Sequence, residues 1–172
     1  MAIADRIVRA ARLDPQLYEE VEANPGLTQE AMTIVVLSAV AAGIGAAPHI
    51  GLLGLVVMAL AALLGWYVWA YVTFWIGTRV LPGQQTQADA GQLLRVLGFS
   101  SAPGILRVAG VIAPLTSLVF LVAHIWMLVA MVVAVRQALD YTSTGRALAV
   151  VLLGAVAYAV ATVFVFSILS IR

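Results

Sequence analysis

The sequence predicts an all-α integral membrane protein, a bundle of five transmembrane helices whose third member is kinked or broken at Pro103. Three observations carry that expectation. The 172 residues are 63% hydrophobic and 10% charged, with a mean hydropathy of +1.06, so the chain has too few charges to coat a water-soluble core of its size. The apolar residues fall into five long segments separated by short polar stretches. The charges are confined almost entirely to those stretches, and six of the eight acidic residues (Asp5, Asp14, Glu19, Glu20, Glu22, Glu30) lie in the first thirty positions.

The same composition narrows the function classes. A net charge of +1 supplies no basic stripe, so nucleic acid is not an expected partner. Without cysteine there is no disulfide, no thiolate zinc cluster and no thiol nucleophile. All nine basic residues are arginine, which reads as the coding bias of a GC-rich genome. The first thirty residues are polar, so no signal peptide is expected.

Residues 1–30 are expected to form a cytoplasmic segment of short amphipathic helices, and residues 31–172 the transmembrane domain. In residues 2–13, Ile3, Ile7, Ala10 and Ala11 share one helical face while Arg6, Arg9 and Arg12 surround the other. Such a helix suits a membrane surface; the alternative is a frayed tail whose arginines only fix topology. Asp14 followed by Pro15 reads as an N-cap with proline at the first helical position. That helix carries Leu17, Tyr18 and Val21 and stops at Asn24, Pro25 and Gly26, with Glu19, Glu20 and Glu22 as a solvated face. Thr28 is expected to cap the next helix, and Glu30 suits its first turn.

The first span, 31–47, is short and rich in small residues (Ala39, Ala42, Gly43, Gly45, Ala46) that let helices approach closely. Pro48 and His49 read as a tight outer turn. The second span, 50–78, would be about 43 Å long against a hydrocarbon core of about 30 Å, so it must tilt or project into the cytoplasm. Trp75 near Arg79 fits an interfacial anchor. Trp66 and Tyr67 lie deeper and read first as packing around Ala61 and Gly65, and second as the wall of an aromatic ligand pocket. Residues 79–92 form a polar loop, with Asp89 as the cap of the next helix. The third span, 91–113, contains Ser100, Ser101 and Pro103 and is followed by Pro114. Its breaks free backbone groups that lipid cannot satisfy, so it must sit among other helices. The fourth, 115–136, is clean except for His124. The fifth, 147–171, alternates Ala155, Ala157, Ala159 and Ala161 around Tyr158 as a packing face.

With five spans, Arg6, Arg9, Arg12, Arg79, Arg95, Arg136 and Arg146 all fall on one side and only Arg107 and Arg172 on the other. The positive-inside rule then puts the N-terminus in the cytoplasm and the C-terminus outside, in a cell (inner) membrane. No catalytic, cofactor-binding or metal-ligating set is evident, since no span holds a carboxylate and the two histidines are far apart in sequence. Four positions are candidates for a functional or packing role: Pro103, Arg107, His124 and Trp126. Arg107 lies about 18 Å beyond Arg95 along a helix, in the outer half of the membrane. Its partner would be a carbonyl freed near Pro103, the hydroxyl of Thr116 or Ser117, or an anionic lipid headgroup; the preferred reading is that it snorkels to the outer interface. His124 falls near mid-membrane and reads as a hydrogen-bonded structural residue ahead of a proton relay.

The runs LLRVLGFSSAP (93–103), Ile125-Trp126, AVRQA (134–138) and Arg146-Ala147 resemble the Yip family, integral membrane proteins named for interaction with Ypt/Rab GTPases. The shared pattern is a glycine–aromatic pair, small residues and a proline, then a tryptophan in the fourth span and a small polar loop before the fifth. Asp14-Pro15-Gln16-Leu17-Tyr18 and Asn24-Pro25-Gly26 are similar to the opening of prokaryotic members. For those members the resemblance implies a small inner-membrane protein with no assigned activity. Rab-type GTPase binding leans on a longer cytosolic region with an Asp-Leu-Tyr-Gly-Pro motif that this sequence lacks, so it is not implied here. The expected function is non-enzymatic, acting through helix–helix, partner-protein or lipid contacts in membrane organisation or complex assembly. Its surroundings are the lipid bilayer, and a homo-oligomer or a membrane-protein partner is the expected association. The alternative is a small permease or channel with its site at the Pro103 break and Arg107.

Overall fold

Local rules fix most element boundaries. The computed structural model describes residues 2–46, 51–84 and 86–170, with 161–162 and 164–170 described by backbone alone. Helix α1 spans Ile3–Ala11 and α2 Pro15–Ala23, where the Asp14 side chain accepts from the Gln16 N–H at 3.0 Å. A 3-10 turn, Pro25–Leu27, leads directly into α3, Thr28–Ala46. Thr28 is therefore not the N-cap expected of it: its hydroxyl donates back to the Pro25 carbonyl at 2.9 Å. Helix α4, Gly51–Trp75, ends in a π turn, Ile76–Val80. Asp89 and Gln92 close a reciprocal capping box at the start of α5, Ala90–Phe99. A 3-10 stretch, Ala102–Val111, and a short 3-10 turn, Ala113–Leu115, precede α6, Thr116–Ala138, and α7, Thr144–Ser170. There is no strand among the described residues. The turn expected at Pro48 and His49 lies outside them.

Three helical stretches are long and apolar enough to cross a membrane: Pro25–Ala46, Gly51–Val80 and Ala113–Ala138. Thr144–Val160 is a shorter apolar helix. The third apolar segment is not one helix but two pieces. Pro103 has no N–H to give and its ring crowds the preceding turn, so α5 stops at Phe99. The hydroxyls of Ser100 and Ser101 both turn back to the Leu97 carbonyl, at 2.8 and 3.3 Å, which serves one of the carbonyls left over at the end of α5.

The two pieces run alongside α3 in parallel register. A side chain at Gly98 would meet Ala31, one at Gly104 would meet Ser38, and one at Gly110 would meet Gly45. Glycine at these positions is what lets the 3-10 backbone lie directly on α3. Ten residues of 3-10 geometry is long for that conformation, and this tight packing is the evident reason it persists.

Buried residues gather at one end of the bundle. Leu17, Tyr18 and Val21 of α2, Leu93 and Val96 of α5, Ala134 and Val135 of α6, Ile76 after α4 and Val150 of α7 belong to one core. The opposite half is an outward-facing apolar belt, including Leu52, Val57, Leu60 and Leu64 of α4, Leu118 and Leu121 of α6, and Val156 and Val160 of α7. The lower end of α4 reaches the core on one face, with Ala70 and Thr73 fully buried, while Tyr71 and Trp75 stay exposed on another.

Polar groups tie the N-terminal helices to this core. Arg6 reaches both Glu30 oxygens at 2.8 Å, and Arg9 bonds Asp14 at 2.7 Å and Glu20 at 2.9 Å. Both arginines of α1 are thus held by protein carboxylates and not left for lipid headgroups. On the other face of α1, the Trp126 indole N–H donates to the Ala11 carbonyl at 2.7 Å. Trp126→Phe is expected to lower stability by about 1 kcal/mol, the usual net worth of such a bond, in equilibrium unfolding of detergent-solubilised protein.

Arg95, expected to serve topology, is instead buried. Its Nε donates to the Val21 carbonyl at 2.9 Å and its Nη2 to the Glu22 carbonyl, so one guanidinium holds the C-terminal turn of α2 against α5. Glu22 itself is no free surface carboxylate. Burial pushes its pKa up to about 7, Asp140 adds repulsion, and Arg95 opposes the shift. The unfolded chain loses this proton near pH 4.5, so stability should fall as pH rises from there through about 7 and then level off. Glu22→Gln is expected to raise the unfolding midpoint at pH 8 and to match the parent below pH 4.5, since the Gln92 amide that donates to Glu22 at 3.1 Å keeps an acceptor. Parallel pH profiles for the two proteins would contradict this.

Candidate functional site: an apolar groove with one arginine

Between α3, α4, the 3-10 stretch, α6 and α7 lies a laterally open cavity of about 470 Å³. Helix α3 contributes Val35, Ser38, Ala39 and Ala42, whose small side chains leave the space. Helix α4 forms the facing wall with Met58, Ala61, Ala62, Gly65, Trp66 and Trp69, all within one helical stripe. Leu97 of α5, Met127 and Met131 of α6 and Tyr158 of α7 complete the apolar lining, with Met127 beside Ser38 and Arg107.

The aromatic residues are fixed in place. The Trp66 indole N–H donates to the Leu94 carbonyl at 2.9 Å, which joins α4 to α5. Trp69 meets Tyr158 edge to face at 5.7 Å between ring centroids. Trp66 therefore both packs, as expected first, and lines a cavity, as expected second. Tyr67 does not line it; it is exposed and bonds Tyr71 at 3.2 Å. Among the described residues the Trp69 indole N–H is buried without an acceptor.

Arg107 supplies the only charge on the described lining. Its backbone sits beside Gly45, near the C-terminal end of α3, but the side chain does not run out past that end as expected of a snorkelling residue. It turns down into the bundle. Nε donates to the Gly104 carbonyl at 3.0 Å, and Nη2 to the Ser38 carbonyl at 3.0 Å and the Ser38 hydroxyl at 2.7 Å. The first acceptor is the carbonyl of the residue after Pro103, close to the carbonyls expected as partners. Ser38 was not among them, and Thr116 instead donates to Gly110 at 2.5 Å. Turned inward, the guanidinium meets carbonyl and hydroxyl oxygens in a low-dielectric interior, where a charge-assisted bond is strong. Nη1 has no acceptor among the described residues.

The other candidate positions are placed apart. Pro103 is buried at the start of the 3-10 stretch and shapes the groove without lining it. His124 is exposed on α6, its Nδ1 2.8 Å from the Phe120 carbonyl one turn earlier. Trp126 belongs to the α1 contact. What sequence reading passed over is Ser38, Trp69 and the pair Met127 and Met131. Ser38 left a readable trace as the one hydroxyl midway along a run of small apolar residues.

An all-helical bundle with an apolar belt, helices of membrane-crossing length and a lipid-depth arginine defines a polytopic membrane protein. The Yip1 domain family model matches residues 14–164, and the chain belongs to the Yip family. No curated protein and no solved structure matches it.

Proposed function

We propose that the chain is a non-enzymatic, five-pass protein of the inner membrane that works through helix, partner-protein or lipid contacts, in membrane organisation or complex assembly. The observation that carries this is where the inward polar groups are spent. Arg95, Arg107, Trp66, Trp126 and Tyr141 all donate to backbone carbonyls of other elements or of the break itself, whereas the outward surface is an apolar belt. Five passes are supported by the register: α3 and the broken third segment run together, α6 returns, and α7 leaves again from the core end. Ten residues of α-helix and ten of 3-10 helix reach about 35 Å, a bilayer's depth. The gathering of Arg95, Arg136 and Arg146 at the core end supports a cytoplasmic N-terminus and an external C-terminus. Rab-type GTPase binding is not part of this reading.

Reporter fusions after Thr144 and after Arg172 should report opposite sides of the membrane. Native purification with cross-linking should yield a homo-oligomer or a stoichiometric membrane-protein partner; a monomer with no cross-linked neighbour would count against the reading. The groove at the Pro103 break favours one second reading, a small permease for anions. It requires solute flux in liposomes that Arg107→Ala abolishes.

A further inference from the structure

The link between α1 and α2 carries charge to the mid-height of the bundle. Trp126, whose indole donates to the Ala11 carbonyl at 2.7 Å, stands near the middle of α6, about 15 Å from Thr116 and about 18 Å from Ala138. Helical side chains lean toward the N-terminal side of their own Cα, so the Ala11 carbonyl is held at that midpoint and not nearer the core end. Helix α3 gives the same height, because Met127 lies beside Ser38, itself about 15 Å along α3 from Thr28. Around Ala11, Arg9 bonds Asp14 and Glu20, Arg12 is exposed, and the Glu20 side chain is half exposed.

The α4 face is apolar at that height. Leu64 is exposed there, and its neighbours Ala62 and Gly65 line the groove together with Ser38 and Met127. The outward stripe of α4 stays apolar or aromatic from Leu52 to Tyr71, about 28 Å, which matches a hydrocarbon core of about 30 Å. The α1 face is much shorter. Helix α1 lies against the 3-10 stretch and α6, and beyond it the exposed apolar surface is Val108, Val111 and Ile112. From the Trp126 level to Thr116 that surface is about 15 Å tall, the depth of one leaflet.

Tilting the bundle does not reconcile the two faces, since it moves both edges of the short face together. An exposed arginine left among acyl chains is costly, and a bilayer thins around a hydrophobic face too short for it. We infer that the α1–α2 link is a docking surface for phospholipid headgroups of the leaflet at the core end. The headgroups dip to the middle of α6 there, so the bilayer is about half as thick beside α1 as beside α4. Local thinning of this kind deepens the lipid-contact reading above and rests on the same embedding of the belt.

The test uses the full chain, which has no cysteine of its own, with bimane attached at Arg12→Cys, Gln16→Cys or Leu64→Cys. Each variant is reconstituted in phosphatidylcholine vesicles that carry a nitroxide quencher either on the headgroup or near the end of an acyl chain. The headgroup nitroxide should quench Arg12→Cys and Gln16→Cys about three-fold more than the chain nitroxide does, and the order should reverse at Leu64→Cys. Should Arg12→Cys fail to fold, Gln16→Cys, exposed at the start of α2, reads the same link. Stronger quenching of the link by the chain nitroxide would leave it among acyl chains and overturn the inference. Quenching by neither nitroxide would mean that protein covers the link, and would overturn it too. If Leu64→Cys is still quenched from the chain in those cases, only the thinning is lost. Headgroup quenching at Leu64→Cys would put the α4 face outside the hydrocarbon as well, and the embedding would fall with the inference.

Discussion

Replacing Gly45 by alanine is expected to destabilise the protein by at least the ~1–3 kcal/mol typical of an overpacked interior. The reason is the nature of the obstacle. A Cβ at Gly45 would fall inside the van der Waals envelope of the Arg107 carbonyl, which is backbone and cannot rotate away as a side chain would. To make room, the 3-10 stretch must lift from α3, and that movement also pulls Arg107 from Ser38, so the loss compounds. Equilibrium unfolding in detergent should show the drop. Gly145→Ala is the matched control: there a Cβ meets only the Ser143 hydroxyl at 3.6 Å, and near the start of α7 alanine should leave stability unchanged or raise it slightly. If both variants behave alike, the close contact between α3 and the broken segment is not what holds them together.

Arg95→Met should act on a different joint. The substitution keeps much of the side-chain volume but removes the donors to the Val21 and Glu22 carbonyls. Buried groups left unpaired cost about 1–3 kcal/mol each, so a loss of about 2–5 kcal/mol is expected. The loss should be local before it is global, because the two bonds hold α2 and little else. Limited proteolysis should cut within residues 12–30 of the variant while the rest of the chain stays intact. Arg95→Lys should fall between the two, since a single ammonium lacks the forked geometry that serves both carbonyls. An unchanged cleavage pattern in Arg95→Met would mean that the apolar contacts of Leu17 and Val21 suffice on their own.

The two arginines also show where sequence reading stops. Caps at Asp14 and Asp89 were legible because the partner N–H lies two or three residues away. The break at Pro103 was legible because proline forbids the helical bond wherever it stands. Arg95 and Arg107 follow no such local rule. A topological arginine and a buried one look the same in a sequence, each standing near the end of an apolar run. What separates them is which carbonyls lie opposite, and those belong to α2 and α3, more than sixty residues distant. The groove was half legible for the same reason. Its aromatic wall on α4 could be seen as a stripe, but the Trp69–Tyr158 contact that closes it joins helices six elements apart.

The bond from Trp126 to Ala11 spans 115 positions of the chain. Helix α1 leaves a ribosome long before its partner on α6 does. During synthesis the Ala11 carbonyl therefore cannot accept from Trp126 until α6 has been made. The bond that seats α1 against Trp126 forms only after α6, and an α1 without it marks a chain whose α6 has not arrived.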